Sequence, residues 1–183
     1  ISDFCRSAVI PLHLDGARIF NAIVETGQTP AQFGTWFDSI SVCLSKGLGA
    51  PVGSVLVGSA EFIKKARRVR KRLGGGWRQA GFLAAAGIYA LDHQVERLKE
   101  DHVRARQIAT VCEKLPWVKA ILPVTTNIVI LELQDGLSSS VKVAELKERG
   151  IYCAPFGPTY VRFVTHLGFD DEALQAFSER VKE

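Results

Sequence analysis

The sequence predicts an α/β chain: the end of a large α/β domain, followed by a small α+β domain at the C-terminus. Three observations predict it. Two short strands, ending near Asp15 and Leu44, are separated by about one helical crossover, the spacing of a right-handed parallel βαβ unit. A helical region from Ala80 to Val111 then stands between two differently patterned halves. Beyond Pro116-Trp117, short alternating strands and two amphipathic helices make a compact α+β pattern. The expected boundaries are 1–80 for the large-domain part, 80–116 for the linking helical region and 117–183 for the small domain.

The 183 residues suit one domain or one and a half. Apolar residues make up 47%, which is enough for a core and excludes a disordered chain. The net charge of +4 is mildly basic, and nucleic-acid binding would need that charge gathered on one face. Cys5, Cys43, Cys112 and Cys153 lie far apart with no metal-ligand spacing, and read as small apolar residues of a reducing compartment. No apolar run reaches the length of a membrane span, and no signal-peptide pattern occurs. Residue 1 is isoleucine and the chain has no methionine, so a piece of a longer chain, or one whose start was removed, is expected.

In chain order, Val9-Ile10-Pro11-Leu12-His13-Leu14-Asp15 ends in a strand, and Gly16-Ala17-Arg18 opens a helix. Ile19, Ala22 and Ile23 recur at helical spacing to about Thr26. Asp15 lies at the carboxyl end of its strand, where open α/β sheets bind ligands. It is equally suited to capping the helix. His13 shares its strand face and reads as a hydrogen-bonded core histidine. Thr29-Pro30 starts a second helix, with threonine as cap and proline in the first turn. Asp38 then leads into the half-buried strand Ser39-Ile40-Ser41-Val42-Cys43-Leu44.

The turn Ser45-Lys46-Gly47-Leu48-Gly49-Ala50-Pro51 is the stretch around which the chain is arranged. Its glycines and proline forbid an ordinary helix. A lysine desolvated on such a turn loses proton affinity, and its neutral amine can condense with an aldehyde. A solvated loop lysine is the alternative. Asp15 and Lys46 end neighbouring strands, so both belong on one edge of the sheet.

Ser54-Val55-Leu56-Val57-Gly58 is a third strand. Glu61 begins a helix carrying Lys64, Lys65, Arg67, Arg68, Arg70, Lys71 and Arg72, which reads as a solvated face or an anion-binding one. Gly74-Gly75-Gly76-Trp77-Arg78-Gln79 breaks it, as a plain turn or as an amide-lined anion site beside Arg78. From Ala80 to Ile88 the next helix is apolar nearly all round and is expected to be buried. After an interruption, the stretch with Glu96, Arg97, Lys99, Glu100, Asp101, Arg104 and Arg106 is expected to face water on one side. His93 and His102 take surface or domain-bridging roles there.

In the last third, Asn127–Leu133 is a strand. Ser139 or Ser140 caps a helix ending near Arg149-Gly150, where glycine suits the position after the helix. Ile151–Ala154 and Tyr160–Thr165 are strands, and residues 170–182 form a closing helix. Arg162 leaves its strand opposite Val161 and Phe163, and its five donors need an anion or a carboxylate unless it lies in water at an edge.

An acid and a lysine at adjacent strand ends, a basic glycine-flanked element and a second domain with an inward arginine are what a pyridoxal phosphate enzyme needs. His13-Leu14-Asp15-Gly16-Ala17-Arg18, Leu44-Ser45-Lys46-Gly47-Leu48-Gly49-Ala50-Pro51-Val52-Gly53-Ser54, Arg70 to Gly81 and Arg162-Phe163-Val164-Thr165-His166, in this order, resemble the low-specificity L-threonine aldolase family. The resemblance runs through essentially the whole chain and corresponds to the family's C-terminal portion. It implies fold type I, pyridoxal 5'-phosphate as cofactor, and a cytoplasmic tetramer of intimate dimers with active sites shared across the dimer interface. It implies retro-aldol cleavage of L-threonine, L-allo-threonine and related β-hydroxy amino acids to glycine and an aldehyde, an activity of threonine catabolism and glycine biosynthesis. Lys46 would hold the cofactor covalently and Asp15 its pyridinium nitrogen. Arg18 would lie near the cofactor's phenolic oxygen and the substrate carboxylate, which Arg162 would fork. Lys71 and Arg78 match positions near the cofactor phosphate and the substrate. No metal, nucleic acid or membrane is implied.

The family carries a long stretch ahead of this point, with a phosphate loop, a ring-stacking histidine and polar groups near the substrate hydroxyl. The expectation is that a further segment or chain supplies them, and that the catalytic base is none of the four histidines present. The other readings are a different fold type I lyase or transferase, a non-catalytic fragment or interaction subunit, and a basic nucleic-acid binder.

Overall fold

The computed structural model describes residues 1–182. They form two compact units, Ile1–Glu96 and the chain from Arg97 onward. The sequence reading set a linking helical region at 80–116, and the division between the units falls inside it.

The first unit opens with a short helix that the sequence reading missed, α1 (Ser2–Ser7). Its Ser2 hydroxyl donates to the Trp36 carbonyl at 2.8 Å and its Arg6 guanidinium to the Thr35 carbonyl at 2.8 Å. β1 (His13–Gly16) leads to α2 (Ile19–Thr26), which stops at Gly27 in the left-handed region, φ 71°. α3 (Pro30–Trp36) starts as the sequence demands. The Thr29 hydroxyl accepts from the Gln32 amide, the Gln32 side chain accepts from the Thr29 amide, and Pro30 fills the first turn. β2 (Ser39–Cys43) pairs parallel with β1, and β3 (Ser54–Gly58) pairs antiparallel with β2, giving the order β1-β2-β3.

α4 (Ala60–Arg72) is capped by Ser59, has Glu61 in its first turn and Arg70, Lys71 and Arg72 in its last, the charge order that suits the helix dipole. None of its residues is buried, so its cationic run is open to solvent. α5 (Gly81–His93) departs from expectation. Only Gly87 and Ala90 are buried, while Phe82 is 83% and Ile88 60% exposed. The helix meets its unit along its small-residue side, where a Cβ on Gly87 would stand 3.0 Å from Leu44 Cδ1. Leu83 and Ala86 are partly covered, while Phe82, Ile88 and Tyr89 stand exposed.

The second unit begins with α6 (Leu98–Cys112) and continues with β4 (Val118–Ile121), β5 (Ile128–Leu133), α7 (Ser139–Glu148), β6 (Ala154–Pro155), β7 (Tyr160–Val164) and α8 (Asp171–Arg180). The sheet is antiparallel in the order β4-β5-β7-β6. β4 was not foreseen, and the expected strand 151–154 reduces to Ala154–Pro155 because Ile151 is spent under the turn after α7. Gly150, φ 74°, ends α7 as expected. Alternate residues of β5 and β7, among them Val129, Leu131, Val161 and Phe163, face a core closed by Ile108, Cys112, Leu146 and Phe177. Phe163 and Phe177 meet edge to face, centroids 5.4 Å apart.

The polar half of the long helical region is also corrected. Asp101 and His102 are buried, at 0% and 1% exposure. They share the inward face of α6 with Leu98, Ala105, Ile108 and Cys112, and position on that face outweighs polarity. Burial of Asp101 is compensated by a two-pronged pair with Arg97, 2.9 and 2.7 Å. The Thr165 hydroxyl donates to the Asp101 carbonyl at 2.7 Å. The Thr165 amide donates to the Asn127 carbonyl at 3.0 Å, and the Asn127 side-chain amide donates to the Thr165 carbonyl at 2.8 Å. This network ties the start of α6 to the entry of β5 and the exit of β7.

Candidate active site

The parallel register fixes the first pair of candidate groups. Asp15 is opposite Ser41 and Gly16 opposite Val42, so β1 ends beside the last residues of β2. Gly16 is required there, because a Cβ would stand 2.7 Å from the Ser41 carbonyl oxygen. Asp15 is exposed, and its Oδ1 accepts from the Ala17 amide at 3.1 Å. It does not cap α2: Arg18 stands at the N-cap, with no side-chain capping bond. His13 is exposed on the same strand face, correcting the core reading, and its Nδ1 is 2.8 Å from the Ser39 hydroxyl. Both side chains therefore open toward solvent along one face of β1.

β2 runs on into the lysine turn at this same edge. The Gly49 amide donates to the Lys46 carbonyl at 2.9 Å, and the Ala50 amide to the Leu44 carbonyl at 3.0 Å. Gly49, φ 69°, and Gly53, φ 114°, take conformations that favour glycine. Leu44, Leu48 and Ala50 are buried beneath the turn and anchor it, while the Lys46 side chain stands exposed above. The desolvated amine envisaged from sequence is therefore not what this chain presents.

Cys43, the last residue of β2, was read from sequence only as a small apolar residue, but it stands half-buried beside the turn. Burial pushes its thiol up, but the Ser45 hydrogen bonds and the Lys46 charge outweigh burial and bring it below the ordinary thiol range. Its Sγ lies 3.6 Å from the Ser45 hydroxyl. The signal was available, since Cys43 and Ser45 alternate onto one side of the strand exit.

The family model for beta-eliminating lyases matches residues 1–135. The chain belongs to that family. Among curated relatives it is 46% identical over 146 residues to the low-specificity L-threonine aldolase of Candida albicans, covering 80% of this chain and 39% of that protein. It is 44% identical over 174 residues to the Escherichia coli (strain K12) low-specificity L-threonine aldolase, covering 94% and 50%. The chain thus spans about half the length, or less, of the curated relatives it matches. Among solved structures, a candidate aromatic amino acid beta-eliminating lyase/threonine aldolase from Exiguobacterium sp. 255-15 superposes with a TM-score of 0.78 at 26% identity, over 99% of this chain and 54% of that one. An ornithine aminotransferase from Toxoplasma gondii shares the fold at 21% identity, TM-score 0.65, over 98% and 44%. The fold is that of type I pyridoxal phosphate enzymes.

The remaining candidates of this beta-eliminating lyase family member lie on separate elements. Lys71 is in the last turn of α4, exposed, with its stem against Gly76, where a Cβ would stand 2.5 Å from the lysine Cδ. Arg78 is exposed on the turn that follows. In the second unit Arg162 leaves β7 opposite Val161 and Phe163, as alternation requires. Its guanidinium lies 5.7 Å from the centroid of the Phe156 ring. Its Nε is buried, and Arg162 has no hydrogen-bond or ion-pair partner among the described residues. Phe156, missed from sequence, is the floor on which this guanidinium rests. Among the described residues no helix is long and apolar enough to cross a membrane.

Proposed function

We propose that this chain carries the lysine, aspartate and arginines of a pyridoxal phosphate-dependent aldolase that cleaves L-threonine and related β-hydroxy amino acids to glycine and an aldehyde. The observation that carries the reading is the shared edge of β1 and β2, from which Asp15 and the Lys46 turn both emerge in a beta-eliminating lyase fold. The donor set fits the cofactor: one exposed amine, one carboxylate with an oxygen not engaged by Ala17, and an arginine whose buried Nε lacks a partner. When bound, pyridoxal phosphate supplies an electron sink for the pair released at the substrate Cα.

The chain's residues do the rest. Lys46 Nζ would hold the cofactor through its aldehyde carbon. Asp15 holds a proton on the ring nitrogen, a charge-assisted contact that strengthens the sink. Arg162 forks the substrate carboxylate with its terminal N–H groups and fixes the Cα–Cβ bond for cleavage. Arg18 assists at the phenolic oxygen and the carboxylate, and Lys71 and Arg78 supply cations to the phosphate and the substrate. The proton on the β-hydroxyl goes to a base outside the four histidines of this chain. We assign residues 1–80 to the cofactor domain, 80–116 to the linking helices and 117–183 to the small domain. The assembly is a cytoplasmic dimer of dimers, with further parts of each site supplied by another segment or copy.

The experiment is borohydride reduction in the presence of pyridoxal phosphate, followed by peptide mapping, with acetaldehyde release from L-threonine measured alongside. The pyridoxyl mass is expected on Lys46 and is lost in Lys46→Ala. A label that stays on another lysine in that variant refutes the assignment.

A further inference from the structure

The second unit contains a cleft of about 300 Å³ between the exit of β7, α8 and the turn that follows α7. Its floor is built from Ile108, Ile151, Phe163 and Phe177, each no more than 6% exposed. These residues belong to the unit's own closed core. Phe163 reaches the cleft from the core face of β7, whereas Arg162 leaves the strand on the other face.

The rim is polar and cationic. Arg180 lies on it with its guanidinium against the backbone of Gly150: a Cβ there would stand 2.9 Å from Arg180 Nη1. Arg180 has no hydrogen-bond or carboxylate partner among the described residues. Its neighbour Glu179 accepts from the Gln175 side chain at 3.1 Å instead. His166 also lines the rim, and its Nδ1 accepts from the Gly168 amide at 3.0 Å. In the neutral ring the proton is therefore on Nε2, a second donor. The cleft combines an aromatic floor with a cation that has no partner among the described residues and an imidazole donor at its mouth, at the small end of the range for ligand pockets.

We propose that this cleft is a binding site for a small aromatic carboxylate, its ring on Phe163 and Phe177 and its carboxylate on Arg180 and His166. A planar ring fills the floor by edge and offset contacts, and a guanidinium–carboxylate fork orients it. The neutral, ring-only version of such a ligand leaves Arg180 unpaired and binds less tightly.

The test is calorimetric titration of the full chain with indole-3-acetate, compared with its uncharged analogue tryptophol and with acetate. Saturable one-site binding is expected for indole-3-acetate, at least about tenfold weaker for tryptophol, and undetectable for acetate at about millimolar concentration. Arg180→Gln, a change at an exposed position, is expected to weaken indole-3-acetate about tenfold with the thermal transition unmoved. Arg162→Gln is expected to leave the affinity as it is. Absence of saturable binding overturns the proposal. So does binding that Arg180→Gln leaves unchanged, or binding that Arg162→Gln removes, which would put the ligand on the other face of β7. A null result here leaves the Lys46 labelling result standing, since the two use different units of the chain.

Discussion

Asp101→Ala tests the polar network that holds the exit of β7. Asp101 is fully buried and its carboxylate takes both prongs of the Arg97 guanidinium, at 2.9 and 2.7 Å. The Arg97 side chain is itself only 14% exposed, so removing the carboxylate leaves a cation largely out of water. Breaking a buried pair on one side costs about 3–5 kcal/mol, or roughly two to four orders of magnitude in the folding equilibrium of that unit. The backbone carbonyl that accepts from Thr165 survives the substitution, so that hydrogen bond is not part of the loss. Urea denaturation followed by Trp117 fluorescence, in a background with Trp36 and Trp77 changed to phenylalanine, reads this unit, because Trp117 packs on its core. The double variant Arg97→Met/Asp101→Leu removes both charges and is expected to recover most of the loss. A loss below about 1 kcal/mol, the scale of a surface pair, refutes the reasoning. So does a double variant as unstable as the single one.

Asp15→Ala is expected to lower product formation by orders of magnitude in single-turnover measurements while costing no more than about 1 kcal/mol of stability, since the side chain is exposed and holds one backbone amide. Gly16→Ala drives a Cβ against the Ser41 carbonyl oxygen and is expected to cost about 1–3 kcal/mol in a denaturation curve by prising β1 from β2. Burial pushes the Cys112 thiol up to about 12 and the Cys153 thiol up to about 11. At pH 8, iodoacetamide and peptide mapping should therefore find Cys43 modified before either. The same shifts make stability fall as pH rises from the ordinary thiol range through about 12, because the unfolded chain gives up these protons first, and Cys112→Ala should flatten that slope.

The elements legible in the sequence are those set by neighbours in the chain. Thr29, Pro30 and Gln32 specify the start of α3 without help from elsewhere, and the alternation in β5 and β7 predicts which of their residues meet the core. Elements whose formation depends on distant partners were not legible. α1 is held by bonds from Ser2 and Arg6 to carbonyls some thirty residues away, and β4 exists because its edge pairs with β5. Composition misled where a helix face decided burial. The apolar start of α5 is largely open, while Asp101 and His102, in the most charged stretch of α6, are among the most buried residues of the chain.

The candidate site divides along the same line. That Asp15 and Lys46 leave one sheet edge follows from two strand ends and one crossover, and the register agrees. That Arg162 opposes Val161 and Phe163 follows from a period of two. The environments of these side chains depend on what packs around them. Spacing gave no indication that Lys46 stands in the open, that Gly16 is compelled by the Ser41 carbonyl, or that Phe156 lies under the Arg162 guanidinium. The buried, unpartnered Nε of Arg162 is the most telling of these details. A buried guanidinium nitrogen without an acceptor is costly, and a strand that only had to be stable could carry an apolar residue at that position. Among the described residues none accepts from that nitrogen, which leaves room for an acceptor such as the substrate carboxylate proposed above.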